Sequence, residues 1–178
     1  GDDAFDVDQA YSGTIDNFIY IAGATSDHGL EIDGPEGSEN AGGQFTLRNG
    51  SLKGNATQGE FADFRSGAQG MVDNLYFFGF NSAADVELDD DKTSANYTAG
   101  SLTLTNLKFN STAWTLDGDG APDGGTTTWS MVTDIFTDKA PAGDATAADE
   151  KFAGDGNALV TAKEGGADKS EFVGWSLA

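Results

Sequence analysis

An all-β fold, a right-handed parallel β-helix of about four coils closed by an irregular C-terminal cap, is what this sequence predicts. The first observation behind it is an asparagine at the same place in four similar segments. The second is a short strand of alternating polarity that recurs between them. The third is the spacing from one to the other, which hardly varies.

The four segments are GTIDNFIYIAG, QFTLRNGSLKG, GMVDNLYFFGF and SLTLTNLKFNS, aligned on Asn17, Asn49, Asn74 and Asn106. Two residues before each asparagine stand Ile15, Leu47, Val72 and Leu104, and three residues after stand Tyr20, Leu52, Phe77 and Phe109. The recurring short strand is AFDVD, GLEID, ADFRS and DVELD. Its paired apolar residues flank one polar residue, the period of a half-buried strand. The spacing is 15 residues from Asn17 to Ile32, 15 from Asn49 to Phe64 and 14 from Asn74 to Leu88. The other arc swings between 8 residues (Val7 to Ile15, Phe64 to Val72) and 15 or 16 (Ile32 to Leu47, Leu88 to Leu104). Length variation confined to one corner suits a coil that stacks on itself in parallel register and does not suit a hairpin sandwich. Stacking then places the four asparagines in one internal ladder, amide to amide.

Coils are expected over residues 1–112, and 113–178 reads as the C-terminal cap of the same domain. In that cap WSMVTDIF is a short helix or strand, DKSEFVGW a short helix led by Asp168 or Ser170, and PAGDATAADEKFAGDG a loop. The first strand begins within a few residues of Gly1, which leaves the first coil's outer edge uncovered. The expectation is that the chain continues into a missing N-terminal β-helix half or stacks on another chain.

Acidic residues outnumber basic ones 30 to 9, for a net charge of −21. Such a field repels nucleic acid and anionic membranes and leaves cations, basic surfaces and neutral glycans as partners. Cysteine is absent, so disulfides, thiolate metal sites and cysteine nucleophiles are excluded. No apolar run is long enough for a membrane span. No nucleophile motif, phosphate loop or dinucleotide fingerprint is present, since the Gly-rich GSENAGG leads into a strand.

The outward face of the short strand carries the most informative pattern. Stacking gives one column of Asp6, Glu31, Asp63 and Glu87 and a second of Asp8, Asp33, Arg65 and Asp89. Like charges ~5 Å apart repel by roughly 0.8 kcal/mol even in water. A cation would relieve this, and an oxygen-only donor set makes Ca²⁺ the expected cofactor. Read without a ligand, the same face is a solvated acidic stripe in which Arg65 bridges Asp33 and Asp89. Asp117, Asp119 and Asp123 form a second Ca²⁺ candidate in a Gly-rich loop, without an EF-hand's full ligand set. The column Asp16, Arg48, Asp73 and Thr105 needs only pairing between coils. Tyr76, Phe78 and Phe80 are candidates for an exposed strip that stacks on sugar rings.

The runs GDDAFDVDQAYSGTIDNF, DHGLEIDGPEG and ADFRSGAQGMVDNLYFFGF, with the closing GADKSEFVGWSLA, carry a family resemblance. They resemble the C-terminal half of large pectate-lyase-like β-helix proteins exported by Bacteroidota. The resemblance implies a secreted or outer-membrane-surface location and no particular reaction. His28, the one histidine, sits in SDHGLEI after an earlier GDD. That arrangement distantly resembles the acid pair and histidine of polygalacturonase-type hydrolases, which would make Asp2, Asp3 and His28 catalytic. A Ca²⁺-dependent lyase with Arg65 as base is the related option. The leading expectation is a non-catalytic surface module that binds glycan or a protein partner with structural Ca²⁺. A polysaccharide lyase or hydrolase is one alternative, and a structural stalk or filament subunit the other.

Overall fold

The structure, a computed structural model, describes residues 3–8, 11–35, 37, 39–55, 59–112, 135–138 and 145–173. Two parallel sheets make up the β-helix. The first, sheet A, holds β1 (Phe5–Val7), β3 (His28–Asp33), β5 (Glu60–Arg65), β7 (Asp85–Leu88) and β10 (Phe136–Asp138) in that order. The second, sheet B, runs from β2 (Thr14–Ile21) through β4 (Phe45–Lys53) and β6 (Gly70–Phe78) to β9 (Lys108–Asn110) and β11 (Ala158–Val160). β8 (Leu102–Thr105) lies beside the first half of β6, so β8 and β9 behave as one strand interrupted at Asn106. Every strand pair among the described residues is parallel, which removes the hairpin alternative for the repeat. β10 and β11 carry the two sheets beyond residue 112, where the sequence repeat has faded.

Inside, the expected apolar columns meet. Leu30, Ile32, Leu47, Leu52, Phe64, Val72, Phe77, Leu88, Leu104 and Phe109 are all fully buried. Phe77 stacks on Phe109 with ring centroids 5.2 Å apart, a contact that parallel register makes unavoidable between equivalent positions. Fully burying such a side chain contributes roughly 1.5–3 kcal/mol.

The asparagine column is real, but it lies on the outside of a corner and not within the core. Arg48 pairs with Asp16 and Asp73, and Gly50 with Phe18 and Leu75, which brings Asn17, Asn49 and Asn74 into line. All four asparagines have φ between 54° and 56°. That left-handed turn bends each long strand, so both the −2 residue and the residue directly after the asparagine point inward. Asparagine tolerates this conformation better than other non-glycine residues. Its amide then satisfies the corner: Asn74 Nδ2 donates to Asn49 Oδ1 at 2.7 Å and Asn49 Nδ2 to Asp16 Oδ1 at 2.7 Å. Asn106 Nδ2 donates to Asp73 Oδ1 at 2.8 Å, so carboxylates share the ladder with amides.

The segment after residue 162 crosses this corner. Gly166 N donates to Asn74 Oδ1 at 3.1 Å and Asp168 N to Asn17 Oδ1 at 2.7 Å, over a cleft of about 860 Å³. Asp168 caps the short 3₁₀ turn Lys169–Phe172, as expected. One expectation fails: within the segment read as a loop, Ala145–Gly154 forms a helix, α2. Its alanines favour helix, and Ala148 and Phe152, one turn apart, are both fully buried. A further helix, α1 (Asp91–Ala99), fills the 16-residue arc between Leu88 and Leu104, capped by Asp90 and ended by Gly100.

Of the proposed aromatic strip, only Phe78 is half-exposed. Tyr76 is buried, with its hydroxyl accepting from Asn110 Nδ2 at 2.7 Å, and Phe80 is buried against Phe61 and Phe77. Tyr76 keeps the outward side between Leu75 and Phe77, but Gly166 of the crossing segment packs against it, and the left-handed Gly79, φ 73°, precedes the inward Phe80.

Candidate functional site

The outer face of sheet A brings together most of the predicted site residues. Register aligns Asp6 with Glu31, Glu31 with Asp63, and Asp63 with Glu87, the column expected from the repeat. The next residue in that row is Thr137 of β10. Asp33 aligns with Arg65 in the second column and accepts from Ser66 Oγ at 2.8 Å. Asp89 follows β7, its N–H donating to the Phe64 carbonyl. Arg65, expected to bridge Asp33 and Asp89, instead reaches diagonally: its Nη2 lies 2.8 Å from Glu31 Oε1 and also contacts Asp63 Oδ2. Burial opposes the charge on Arg65, but Asp63 and Glu31 outweigh it and raise the guanidinium pKa further. Asp2, Asp117, Asp119 and Asp123 lie outside the described residues.

A third row, which the repeat pattern does not predict, completes the face. His28 aligns with Glu60 and Glu60 with Asp85. Its origin is a bulge: the β5–β7 register shifts between Glu60 and Ala62, so Phe61 is an extra residue. Phe61 and Ala62 both point inward, and Glu60 and Asp63 therefore both point outward although they are three apart. In β3, register-matched to β5, Gly29 and Leu30 are buried in the same way, so His28 and Glu31 share the outer face.

Geometry at this bulge is tight. Asp3, a predicted catalytic partner of His28, holds His28 Nδ1 at 2.7 Å. His28 Nε2 lies 3.6 Å from Glu60 Oε2. One ligand-type atom from each of His28, Glu60 and Asp63 falls within 4.8 Å of the others. The Asp63 side chain is only 7% exposed, and its Oδ1 has no hydrogen-bond partner among the described residues. Glu60 Oε2 and Arg65 Nε are likewise buried and without a hydrogen bond among those residues.

These surroundings shift the acids upward. Burial, reinforced by the Asp63 charge, raises the Glu60 carboxyl to about 7 against a smaller opposing effect of His28. Burial also raises Asp63, Asp85 and Glu31, with Arg65 opposing it at Asp63 and Glu31 and the Thr137 hydroxyl at Asp85. For His28, burial favours the neutral ring, but the bond to Asp3 and the charges of Glu60 and Asp27 prevail and raise its pKa. The face can hold a proton near neutral pH at Glu60, or exchange protons for a metal ion.

The fold and this face define a parallel β-helix protein with one strongly acidic, ladder-built surface. The chain belongs to the family described as pectate-lyase like beta helix domain, which matches residues 1–161. Searches of curated proteins and of solved structures found no match. No helix among the described residues is long and apolar enough to cross a membrane.

Proposed function

We propose that this chain is a non-catalytic β-helix module, secreted or displayed at a cell surface, whose sheet A face binds a divalent cation and, across it, an anionic glycan. One observation carries the reading: the Asp63 Oδ1 and Glu60 Oε2 atoms are buried without hydrogen-bond partners among the described residues. A buried polar atom left unpaired costs about 1–3 kcal/mol, more when charged, and a cation removes that cost. With a net charge of −21, an anionic polymer approaches only where a bound ion bridges the two. Ca²⁺ is the first candidate on the carboxylate content of the face. The reading includes right-handed winding in about four coils, the hand that parallel crossovers adopt.

Arg65 argues against the lyase alternative, because Glu31 and Asp63 hold it protonated when a base must be neutral. A glycoside hydrolase keeps one supporting observation, a Glu60 carboxyl near pKa 7 beside the Asp63 carboxylate. Release of product from an acidic polysaccharide, lost in Glu60→Gln, would favour that enzyme.

The cation test is thermal melting of chelator-stripped protein in CaCl₂ against NaCl of equal ionic strength. A site present only in the native state adds about 2.7 kcal/mol at a hundredfold excess over Kd. Screening of repulsion responds to both salts alike. A larger shift in CaCl₂ that Asp63→Asn reduces supports the reading with Ca²⁺, and shifts in both CaCl₂ and ZnCl₂ no larger than in NaCl of equal ionic strength overturn it.

A further inference from the structure

We infer that the ion on this face is a transition-metal divalent cation of the Zn²⁺ type, held by His28, Glu60 and Asp63 with Asp3 behind the imidazole; this rests on the cation-binding reading above. Three features of the chain point to a nitrogen-containing site. The first is the bulge itself. Plain alternation would put Glu60 and Asp63, three residues apart, on opposite sides of β5; with Phe61 and Ala62 both turned inward, the bulge keeps both carboxylates on the side that carries His28.

The second feature is the imidazole's orientation. His28 Nδ1 is engaged by Asp3 Oδ1 at 2.7 Å, which directs Nε2 toward Glu60. A carboxylate on the far nitrogen of a ligating histidine fixes its tautomer and strengthens it as a donor. The third is the opening between the donors. The separation of 3.6 Å between His28 Nε2 and Glu60 Oε2 is at the long end of a tetrahedral edge, ~3.3–3.6 Å for ligands ~2.0–2.2 Å from Zn²⁺. Arg65 contacts Asp63 through Oδ2, while Oδ1 is buried without a hydrogen-bond partner among the described residues, and one Asp63 oxygen lies within 4.8 Å of the His28 and Glu60 donors. Ca²⁺ takes six to eight oxygen donors and has no use for imidazole, whereas one imidazole and two carboxylates match a first-row divalent ion with positions left for water.

The test exploits His28 being the chain's one histidine. Tag-free protein stripped with chelator is titrated with Zn²⁺ while the imidazole proton signals are followed by NMR. The expected result is a new bound set of signals that saturates at one equivalent. In parallel, His28→Gln should abolish the Zn²⁺-induced rise in melting temperature and leave any Ca²⁺-induced rise intact. Asp3→Asn, which contacts the far nitrogen of the ring and Glu31 and is not itself one of the three proposed ligands, should weaken Zn²⁺ by about 10–100-fold. Imidazole signals unmoved by Zn²⁺ in the unmutated protein would overturn the inference whatever the variants do. If Ca²⁺ still stabilises in that case, the cation-binding reading stands alone; if neither ion stabilises, both fall.

Discussion

Asn74 gives the sharpest test of how the corner is held. Its side chain makes two bonds, donating to Asn49 Oδ1 at 2.7 Å and accepting from Gly166 N at 3.1 Å, with φ at 54°. Losing two hydrogen bonds costs about 1–3 kcal/mol at ~0.5–1.5 each. Alanine adds the left-handed penalty of about 1–2 kcal/mol, for a total of about 2–5. Glycine adopts the turn freely but adds unfolded-state entropy of about 0.5–1 kcal/mol. Asn74→Ala should therefore be the more destabilised of the two, by roughly 1 kcal/mol. Urea denaturation monitored by circular dichroism reads this as a larger drop in midpoint for alanine at an unchanged m-value. If Asn74→Gly lost as much stability as Asn74→Ala, the positive φ would not be what selects asparagine, and the corner would be held by hydrogen bonds alone.

Two more outcomes follow from packing and capping. A Cβ on Gly50 would overlap the ring of Phe18, which lies over it from the neighbouring strand. Gly50→Ala should cost about 1–3 kcal/mol by expelling that ring, yet cost almost nothing in a Phe18→Ala background, a double-mutant cycle readable by denaturant melts. Asp90 caps α1 through Lys92 N at 2.9 Å and Thr93 N at 3.0 Å, and it also accepts from Gly67 N of the neighbouring turn at 3.2 Å. Burial alone would raise its pKa, but the Thr93, Gly67 and Lys92 hydrogen bonds prevail and lower it, so its stabilisation is complete above pH ~4 and fades as pH falls through the lowered value. Asp90→Ala should lose about 1–2 kcal/mol at pH 7 and flatten the acid limb of the stability curve, whereas a limb as steep as that of the unmutated protein would place the titration elsewhere.

Much of the architecture is legible in the chain because parallel register writes itself into sequence. Equivalent positions stack, so Leu47 above Val72 and Asp63 beside Glu87 recur as repeats along the chain itself. What escaped has specific causes. The left-handed corner at the asparagines breaks two-residue alternation and puts the ladder outside, while Tyr76 is buried under Gly166, far away in sequence, and Phe80 follows a left-handed Gly79. α2 carries no repeat signal, and its Ala-rich run sits among Gly and Asp residues that mimic a loop. The bulge left one trace: 15 residues separate asparagine from strand in two coils and 14 in the third, and the odd residue is the one that turns Glu60 outward. Treated as noise, that difference hid Glu60, the most shifted acid of the face.

Register also explains why the sheet A face stands apart. Any side chain chosen at one outward position meets its own equivalents above and below, so a charged column must alternate in sign or accept repulsion. Sheet B alternates: Arg48 donates to Asp16 at 2.7 and 2.9 Å, and Thr105 donates to Asp73 at 2.7 Å. Sheet A does not. Asp6, Glu31, Asp63 and Glu87 run in one row beside the row of Glu60 and Asp85, and Arg65 neutralises only two of them. Each neighbouring pair of carboxylates ~4.8 Å apart costs roughly 0.9 kcal/mol in water and more where Asp63 is buried. A fold that solves the problem on one sheet and leaves it unsolved on the other, at the bulge that gathers His28, Glu60 and Asp63, has its charge imbalance where a cation would sit.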